Sequence, residues 1–335
     1  MAPGPLVSVV TPFYDTKLYL AESIESVLAQ THRNFEYLLV NNKSTDGSRE
    51  IAARYAAQDS RIRLIDNPIF VGQVENYNGA LTHISSGSKY VKIVQADDSI
   101  RPECISSMVD LAEREPGVGL VSSYRLIGNH RSGEGVPEGV SRLPGREACR
   151  KMLLGECYLL GSPTTLLYRA DIVRSRNPFY ALGRYHEDTD TGYEILLESD
   201  LGFVHQILSF TRADNVSIMT STQAFNSTDL GYLIVLERYG PQVLTDEELA
   251  RQRALSHNGY YRFLGRGLLR LRGPAFWDYH RVGLATVGWK LRWRDVVIEA
   301  AAELVRLARN PTSTVTRAIA DVRKRFRRNS PPRRS

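Results

Sequence analysis

The chain has 335 residues, 42% of them hydrophobic and 24% charged, which is enough apolar material for one large core plus an appendage and excludes a fibre or a disordered chain. Three cysteines, Cys104, Cys149 and Cys157, have neither disulfide-framework nor metal-ligand spacing. The net charge of +6 divides unevenly: from residue 251 onward 20 Lys and Arg stand against 5 Asp and Glu, a balance of +15, leaving 23 against 32, or −9, before it, so the two parts are expected to face different partners.

The opening "MAPGPLVSVVTPF" lacks the basic flank and small-residue cleavage site of a signal peptide. No window approaches the roughly eighteen unbroken apolar residues of a membrane span. A reducing, cytoplasmic setting is expected. "VSVVTPF", "FEYLLVNN", "RIRLIDN" and "YVKIVQADD" then read as strands, short and β-branched, and between them "YLAESIESVLAQ", "REIAARYAAQ" and "VENYNGALTHIS" carry helical apolar spacing. Strand and helix in alternation predict an α/β fold with a parallel sheet covered on both faces.

Ligands of such sheets bind beyond the carboxyl ends of the strands, which here are Thr11 to Asp15, Asn41 to Ser44, Asn67, and Asp97 with Asp98. A Rossmann site needs a glycine-rich turn after the first strand, and "TPFYDT" contains no glycine. A nucleotide would therefore be held by side chains and a metal. Paired carboxylates at a strand end suit Mg²⁺ or Mn²⁺, which take hard oxygen ligands and fill their other positions with phosphate and water. The alternative is that Asp97 and Asp98 form a turn or cap the helix predicted in "RPECISSMVDLAERE".

Four segments in order, "VSVVTPFYD", "NNKSTDGS", "ADDSIRPE" and "HEDTD", resemble the family-two GT-A glycosyltransferases, which transfer sugar from a nucleotide diphosphate sugar with inversion. The resemblance spans roughly residues 6 to 220. It implies a GT-A type, mostly parallel sheet flanked by helices, with Mn²⁺ or Mg²⁺ as cofactor. It gives Asp98 the metal and Asp97 the ribose, and makes Thr11, Pro12, Phe13, Tyr14 and Asp15 the loop that cradles the base, with the Tyr14 ring stacked on uracil. Asn41 and Asn42 stand where the family carries an aspartate pair. Asn42 can accept from the base through its amide oxygen and can also donate, so nucleotide preference is open to change. Ser44 belongs to the same nucleotide-side segment, although capping of the following helix accounts for Ser44 and Asp46 better than catalysis does.

Inverting transfer also needs a base for the acceptor hydroxyl. The resemblance assigns that role to Asp188 in "YHEDTDTGYEILLE", with Glu187 orienting the acceptor or the loop and Asp190 capping the helix. In "SFTRADNVS", Asp214 stands where relatives carry a histidine near the metal, and an aspartate is itself a competent hard-metal ligand. "LLGSPTTLLYRADIV" falls at the acceptor wall, making Ser162 and Pro163 acceptor-side candidates.

Past residue 225 the resemblance stops, and "TDLGYLIVLERYG", "EELARQRALSHNGYYRFLGRGLLRLR" and "DVVIEAAAELVRLARN" read as helices. The expected organisation is a glycosyltransferase domain over 1–225 and a basic helical region over 226–335. Val315, Ile319, Val322 and Phe326 recur at helical spacing among Arg317, Arg323, Lys324, Arg325, Arg327 and Arg328, the pattern of a basic amphipathic helix for an anionic membrane surface. A solvated charged tail fits the same residues. No nucleic-acid motif accompanies the charge. The expected partners are a nucleotide diphosphate sugar, UDP-linked by preference, and a glycan or lipid-linked acceptor. The competing readings are a metal-dependent nucleotidyltransferase, which would want a glycine-rich basic loop after the first strand, and a catalytically silent nucleotide-sugar-binding relative, suggested by Asn41 and Asn42.

Overall fold

A computed structural model describes residues 4–184, 186–212, 225 and 227–309. The described chain falls into two compact units, one holding residues 4–212 together with Arg238–Leu249, the other holding 225, 227–237 and 250–309. The path of the chain returns once to the first unit, over Arg238–Leu249, after entering the second.

The first unit opens with β1 (Val7–Phe13), α1 (Leu20–Leu28), β2 (Phe35–Asn41), α2 (Ser48–Ala56), β3 (Ile62–Asp66), α3 (Gln73–Leu81) and β4 (Tyr90–Ile93). All seven residues of β1 are buried, as befits a strand covered on both faces. Leu20, Ile24 and Val27 of α1 lie one helical turn apart and are inaccessible to solvent, so this stripe is what holds the helix on the sheet. Next come β5 (Ser99–Ile100), α4 (Cys104–Arg114), β6 (Val118–Ile127), β7 (His130–Ser132), β8 (Arg142–Leu143) and α5 (Gly145–Leu153). A 3-10 turn at Pro163–Thr165, β9 (Leu167–Arg169), α6 (Ala170–Ser175), α7 (Glu187–Glu198) and β10 (Asp200–Thr211) complete it.

The sheet order is β3-β2-β1-β4-β9-β6-β10-β5, with β7 paired to β6 and β8 to β10. β1, β2, β3 and β4 run parallel, as do β6 and β10. β9 enters between β4 and β6 antiparallel to both, a strand that alternating patterns did not predict. Its effect is to bring the 3-10 turn that precedes it against the end of β4. "YVKIVQADD" stops being strand at Ile93, and Asp98 N–H closes a turn on the Gln95 carbonyl at 3.0 Å.

The second unit is helical. α8 (Ser227–Val243) begins in it, and α9 (Asp246–Leu269), α10 (Pro274–Ala285) and α11 (Trp293–Arg309) follow. Its buried side chains include Leu230, Leu233, Tyr260, Tyr261, Leu264, Phe276, Leu284 and Val296. No helix of the described residues is long and apolar enough to cross a membrane. The residues of the predicted basic amphipathic helix, Val315 to Arg328, lie outside the described residues, as does Asp214.

Candidate active site

The carboxyl ends of β1 and β2 are stitched together by side chains. Asp15 N–H donates to Ser44 Oγ at 3.1 Å, Thr45 N–H donates to Asp15 Oδ1 at 2.7 Å, Thr16 N–H donates to Ser48 Oγ at 2.8 Å and Lys17 N–H donates to Asp46 Oδ2 at 2.9 Å. Asp15 adopts a left-handed φ of 47°, which aspartate tolerates better than most residues. Burial opposes the Asp46 charge, but hydrogen bonds from Ser48 and Lys17 hold its carboxyl below the usual carboxylate range. Ser44 and Asp46 are therefore bonded into the loop. Thr11, Pro12 and Phe13 are buried, with Thr11 Oγ1 3.0 Å from Tyr37 OH. Tyr14 is the exposed ring of this loop, 46% accessible, and it touches Phe70, itself 59% accessible, with centroids 4.9 Å apart. Phe70 was not singled out by the sequence pattern, although an aromatic in a loop between strand and helix was the available signal.

Asn42 explains its own departure from aspartate. Its Nδ2 donates to the Val71 carbonyl at 2.8 Å, while its Oδ1 accepts from Val71 N–H at 3.1 Å and from Asn67 Nδ2 at 3.1 Å. Only an amide can both give and take on one backbone residue in this way. The side chain is 3% accessible, so it anchors the loop that carries Phe70. Asn41 does similar work, donating to Asp66 at 2.8 Å and accepting from Ser44 N–H at 3.0 Å.

Asp98 is 3% accessible. Burial pushes its pKa up to about 7, the Asp97 charge adds to the rise, and hydrogen bonds from Thr164 and Thr211 with the Arg125 charge oppose it. Thr211 Oγ1 stands 3.4 Å from Asp98 Oδ2. Asp97 presents its backbone carbonyl to Arg212 Nε at 3.1 Å, and the Arg212 guanidinium pairs with Glu22 and covers the Tyr19 ring. A buried carboxylate whose charge its surroundings disfavour, beside a second acid, is a fitting hard-cation site, because a divalent ion would relieve that penalty. Among the described residues no three His, Cys, Asp or Glu side chains converge.

The loop holding Ser162 and Pro163, the acceptor-side candidates, is built onto this site. Gly161 has φ +64°, and a Cβ there would lie 2.6 Å from Thr165 Oγ1, so only glycine makes the turn. Ser162 then donates its N–H to Thr165 Oγ1 at 3.3 Å, and its own Oγ is buried with no hydrogen-bond partner. Pro163 is buried at the head of the 3-10 turn. Thr164 accepts from Gln95 N–H at 3.0 Å, and its hydroxyl is near enough to Asp98 to oppose the rise in that carboxyl's pKa. Beneath them Lys92, fully buried on β4, donates to the carbonyls of Thr164 at 2.5 Å and Leu166 at 3.2 Å. Burial lowers the Lys92 pKa, with Cys104 and Asp98 opposing. A lysine inside "YVKIV" was the sequence signal for this bolt, and it was passed over.

Glu187 and Asp188 begin α7, whose N-terminal neighbour His186 is left-handed at φ 54°. Burial raises the pKa of Asp188, opposed by the Thr189 N–H at 2.7 Å and by the charges of His186 and Arg125. Burial likewise raises Glu187, with Asp188 adding to it. Tyr158 OH lies 3.2 Å from Thr189 Oγ1, on the exposed side of the same turn. Asp190 is not the helix cap that was expected. Its N–H goes to the His186 carbonyl, and its buried carboxylate receives Arg184, Arg238 and Tyr239 OH, the last at 2.8 Å. That ion-pair hub ties the α7 N-terminus to the segment 238–249.

One residue acts on both acids through its charge. Arg125 on β6 exerts its charge on both Asp98 and Asp188, and its Nε is buried with no hydrogen-bond partner. Sequence reading missed it because nothing near "SSYRLIG" places it beside residues 27 positions before and 63 after.

Residues 8–174 match the family described as "Glycosyl transferase family 2". "Glycosyltransferase GlyG" of Streptococcus pneumoniae is 27% identical over 228 residues, 64% of this chain and 73% of that protein. Two Bacillus subtilis relatives, 35% and 32% identical, match over 45% and 48% of their own length. Among solved structures, S. aureus TarS 1-349 in complex with UDP-GlcNAc is similar with a TM-score of 0.61 at 17% identity, covering 84% of this chain and 80% of that one. The mannosyltransferase PcManGT from Pyrobaculum calidifontis, in complex with GDP-Man and Mn2+, gives 0.54 at 15% identity over 98% and 89%. These last two likenesses are of fold.

Proposed function

This chain belongs to the family 2 glycosyltransferases and has their GT-A architecture, and from that premise we propose that it moves a sugar, with inversion, from a UDP-linked donor to a hydroxyl of a cell-envelope glycan or lipid-linked glycan. The catalytic residues lie in the segment 1–225, and the reaction runs in the cytoplasm. The observation that carries the reading is that Asp98 and Asp188, far apart in the chain, are both buried carboxyls whose charge burial disfavours and the Arg125 charge favours, so a donor-side acid and an acceptor-side acid share one cationic neighbourhood.

In this reading Tyr14 offers its exposed ring to the base, Asp97 the ribose a carboxylate, and Asp98 a ligand to Mn²⁺ or Mg²⁺. Asp214 is a second candidate ligand. A divalent ion there would supply neutralising charge for the departing diphosphate. The acceptor enters along Ser162, Pro163 and Tyr158. Its oxygen bonds to the anomeric carbon as the bond from that carbon to the diphosphate oxygen breaks, and the hydroxyl proton passes to the Asp188 carboxylate. Burial leaves Asp188 more basic than a solvated aspartate, which favours that transfer at neutral pH. Glu187 orients the turn that presents it.

The test is donor hydrolysis and transfer with a panel of nucleotide sugars in the presence of Mn²⁺, using wild type and Asp98→Asn. Loss of metal-dependent turnover in the variant is the expected result. Full turnover with unchanged metal dependence would reject the role of Asp98, and no turnover of any donor by the wild type would favour a silent nucleotide-sugar-binding protein.

A further inference from the structure

α11 is turned the unusual way round. Its acidic residues and one of its arginines are engaged within the unit: Glu303 pairs with Arg266 at 2.8 Å and with Arg306 at 2.9 Å, and Arg306 also reaches Glu299 at 3.2 Å. Val296 and Ala300 are its buried apolar contacts. The opposite face is apolar and faces solvent: Trp293, Val297, Ile298, Leu304 and Val305 are each about half accessible, at 49%, 54%, 52%, 55% and 51%, and Ala301 and Ala308 are exposed between them. At 1.5 Å per residue this stripe is about 23 Å long. Its two ends carry exposed cations, Arg294 and Arg309. The loop after α9 adds to it: Leu271 is 89% accessible between Arg270 and Arg272, the Arg272 carbonyl holds Trp277 Nε1 at 3.1 Å, and the Trp277 ring lies 4.6 Å from that of Trp293.

We propose that this outward face of α11, with the Leu271 loop, docks on an anionic lipid bilayer, the helix lying flat with Trp293, Val297, Leu304 and Val305 in the acyl boundary. Charge selects this occupant. The stripe ends in arginines, and the residues that follow it, 310–335, hold eight Lys and Arg against one Asp. Covering α11 with that segment, or with a second copy of the same helix, would bring like charges together. An anionic headgroup layer meets both the apolar stripe and its cations, and a tryptophan at the helix start suits the headgroup boundary. No described helix could cross the bilayer, so the attachment is peripheral. The surface differs from the one predicted over residues 313–335, and the inference stands independently of the donor and base assignments.

The test uses the full chain with vesicles of phosphatidylcholine alone and of phosphatidylcholine mixed with phosphatidylglycerol, followed by sedimentation and tryptophan fluorescence. Binding to the mixed vesicles only, with a blue shift that Trp293→Phe diminishes, is expected. The neutral double variant Val297→Gln with Leu304→Gln should lose at least about tenfold in partitioning, with an unchanged melting temperature because both sites are exposed. Arg294→Gln with Arg309→Gln tests the charge separately and should weaken binding and its salt sensitivity together. Wild-type binding by the Val297→Gln/Leu304→Gln protein, or no vesicle binding by the full chain, would overturn the proposal. So would a wild-type dimer that this variant makes monomeric, since a second copy would then cover the face.

Discussion

The two units of this protein handle polarity in opposite ways. The first buries many polar side chains, and several of them, Thr11, Asn41, Asn42, Lys92, Asp98, Thr164 and Asp190, lie at or under the carboxyl ends of its strands and the start of α7. Among the described residues of the second, the buried polar side chain is His280, while Leu271, Trp293, Val297, Ile298, Leu304 and Val305 are left exposed. A buried polar group costs stability unless every bond is made, so the first unit concentrates that cost where chemistry needs fixed dipoles. The second needs no such fixed centre, and its unusual feature is on its surface. The comparison teaches that the buried polar centre and the exposed apolar face belong to different units, and each prediction below tests one side of that division.

The largest effect is expected at Asp188, the proposed base. Asp188→Asn should lower turnover by about 10²- to 10⁴-fold while donor affinity changes little, measured by single-turnover kinetics and calorimetry. Because burial raises the Asp188 pKa, the wild-type rate should fall as pH drops through a value above the ordinary carboxylate range. Arg125→Gln removes a charge that opposes that rise and should move the acid limb to still higher pH. A limb at the same pH in both proteins would separate Arg125 from the base.

The second unit should be the acid-sensitive one. Burial drives the pKa of His280 down to about 4, against a backbone hydrogen bond that works the other way, and Tyr260 OH lies 2.8 Å from its Nδ1. The unfolded chain takes up a proton near pH 6.5 that the folded state refuses until about 4, so stability is full above pH 6.5 and declines as pH falls, by about 3 kcal/mol near pH 4. Thermal melts of wild type and His280→Gln across that range should converge at low pH; parallel curves would place the acid sensitivity elsewhere.

Lys92→Met keeps the length of the side chain but strips the Thr164 and Leu166 carbonyls of their donor. We expect a loss of about 1–3 kcal/mol and weakened metal dependence, since Thr164 also acts on the Asp98 carboxyl. A stability loss with unaltered metal dependence would show that the 3-10 turn does not transmit to Asp98. The smallest effect is expected for Asn42→Asp, which sets a carboxylate against the Val71 carbonyl. About 1–2 kcal/mol of destabilisation should accompany faster proteolysis of the loop containing Phe70. Unchanged stability would mean that this amide does not hold the loop.

Much of the first unit was legible in the sequence. A strand buried on both faces reads as an unbroken β-branched run, and α1 to α3 repeat their apolar residues at the helical period, so β1, β2 and β3 and their helices emerge from local pattern. Tyr14 follows a strand, Asp97 and Asp98 stand in the turn beyond one, and Glu187 and Asp188 open a helix, all within recognisable segments. Local pattern has no means of placing β9 between β4 and β6, since its three residues, Leu167–Arg169, are too few to carry a period. It likewise could not foresee that Asn42 would be spent on Val71, or that Asp190 would serve as an ion-pair hub and not as a cap.

The rest was decided by tertiary structure because it depends on residues far apart in the chain or on a choice the sequence leaves even. Arg125 gains its meaning only when β6 is laid between β9 and β10, which brings its charge to bear on both acids. In α11 the apolar residues span a wide arc beside the charged stripe of Asp295, Glu299, Glu303 and Arg306, so Val296 with Ala300 and Val297 with Leu304 are both eligible for burial by periodicity. Packing resolved that tie, because Glu299, Glu303 and Arg306 have partners on one side. Spacing along a chain determines which residues share a face; only the neighbours supplied by the fold determine which face is covered.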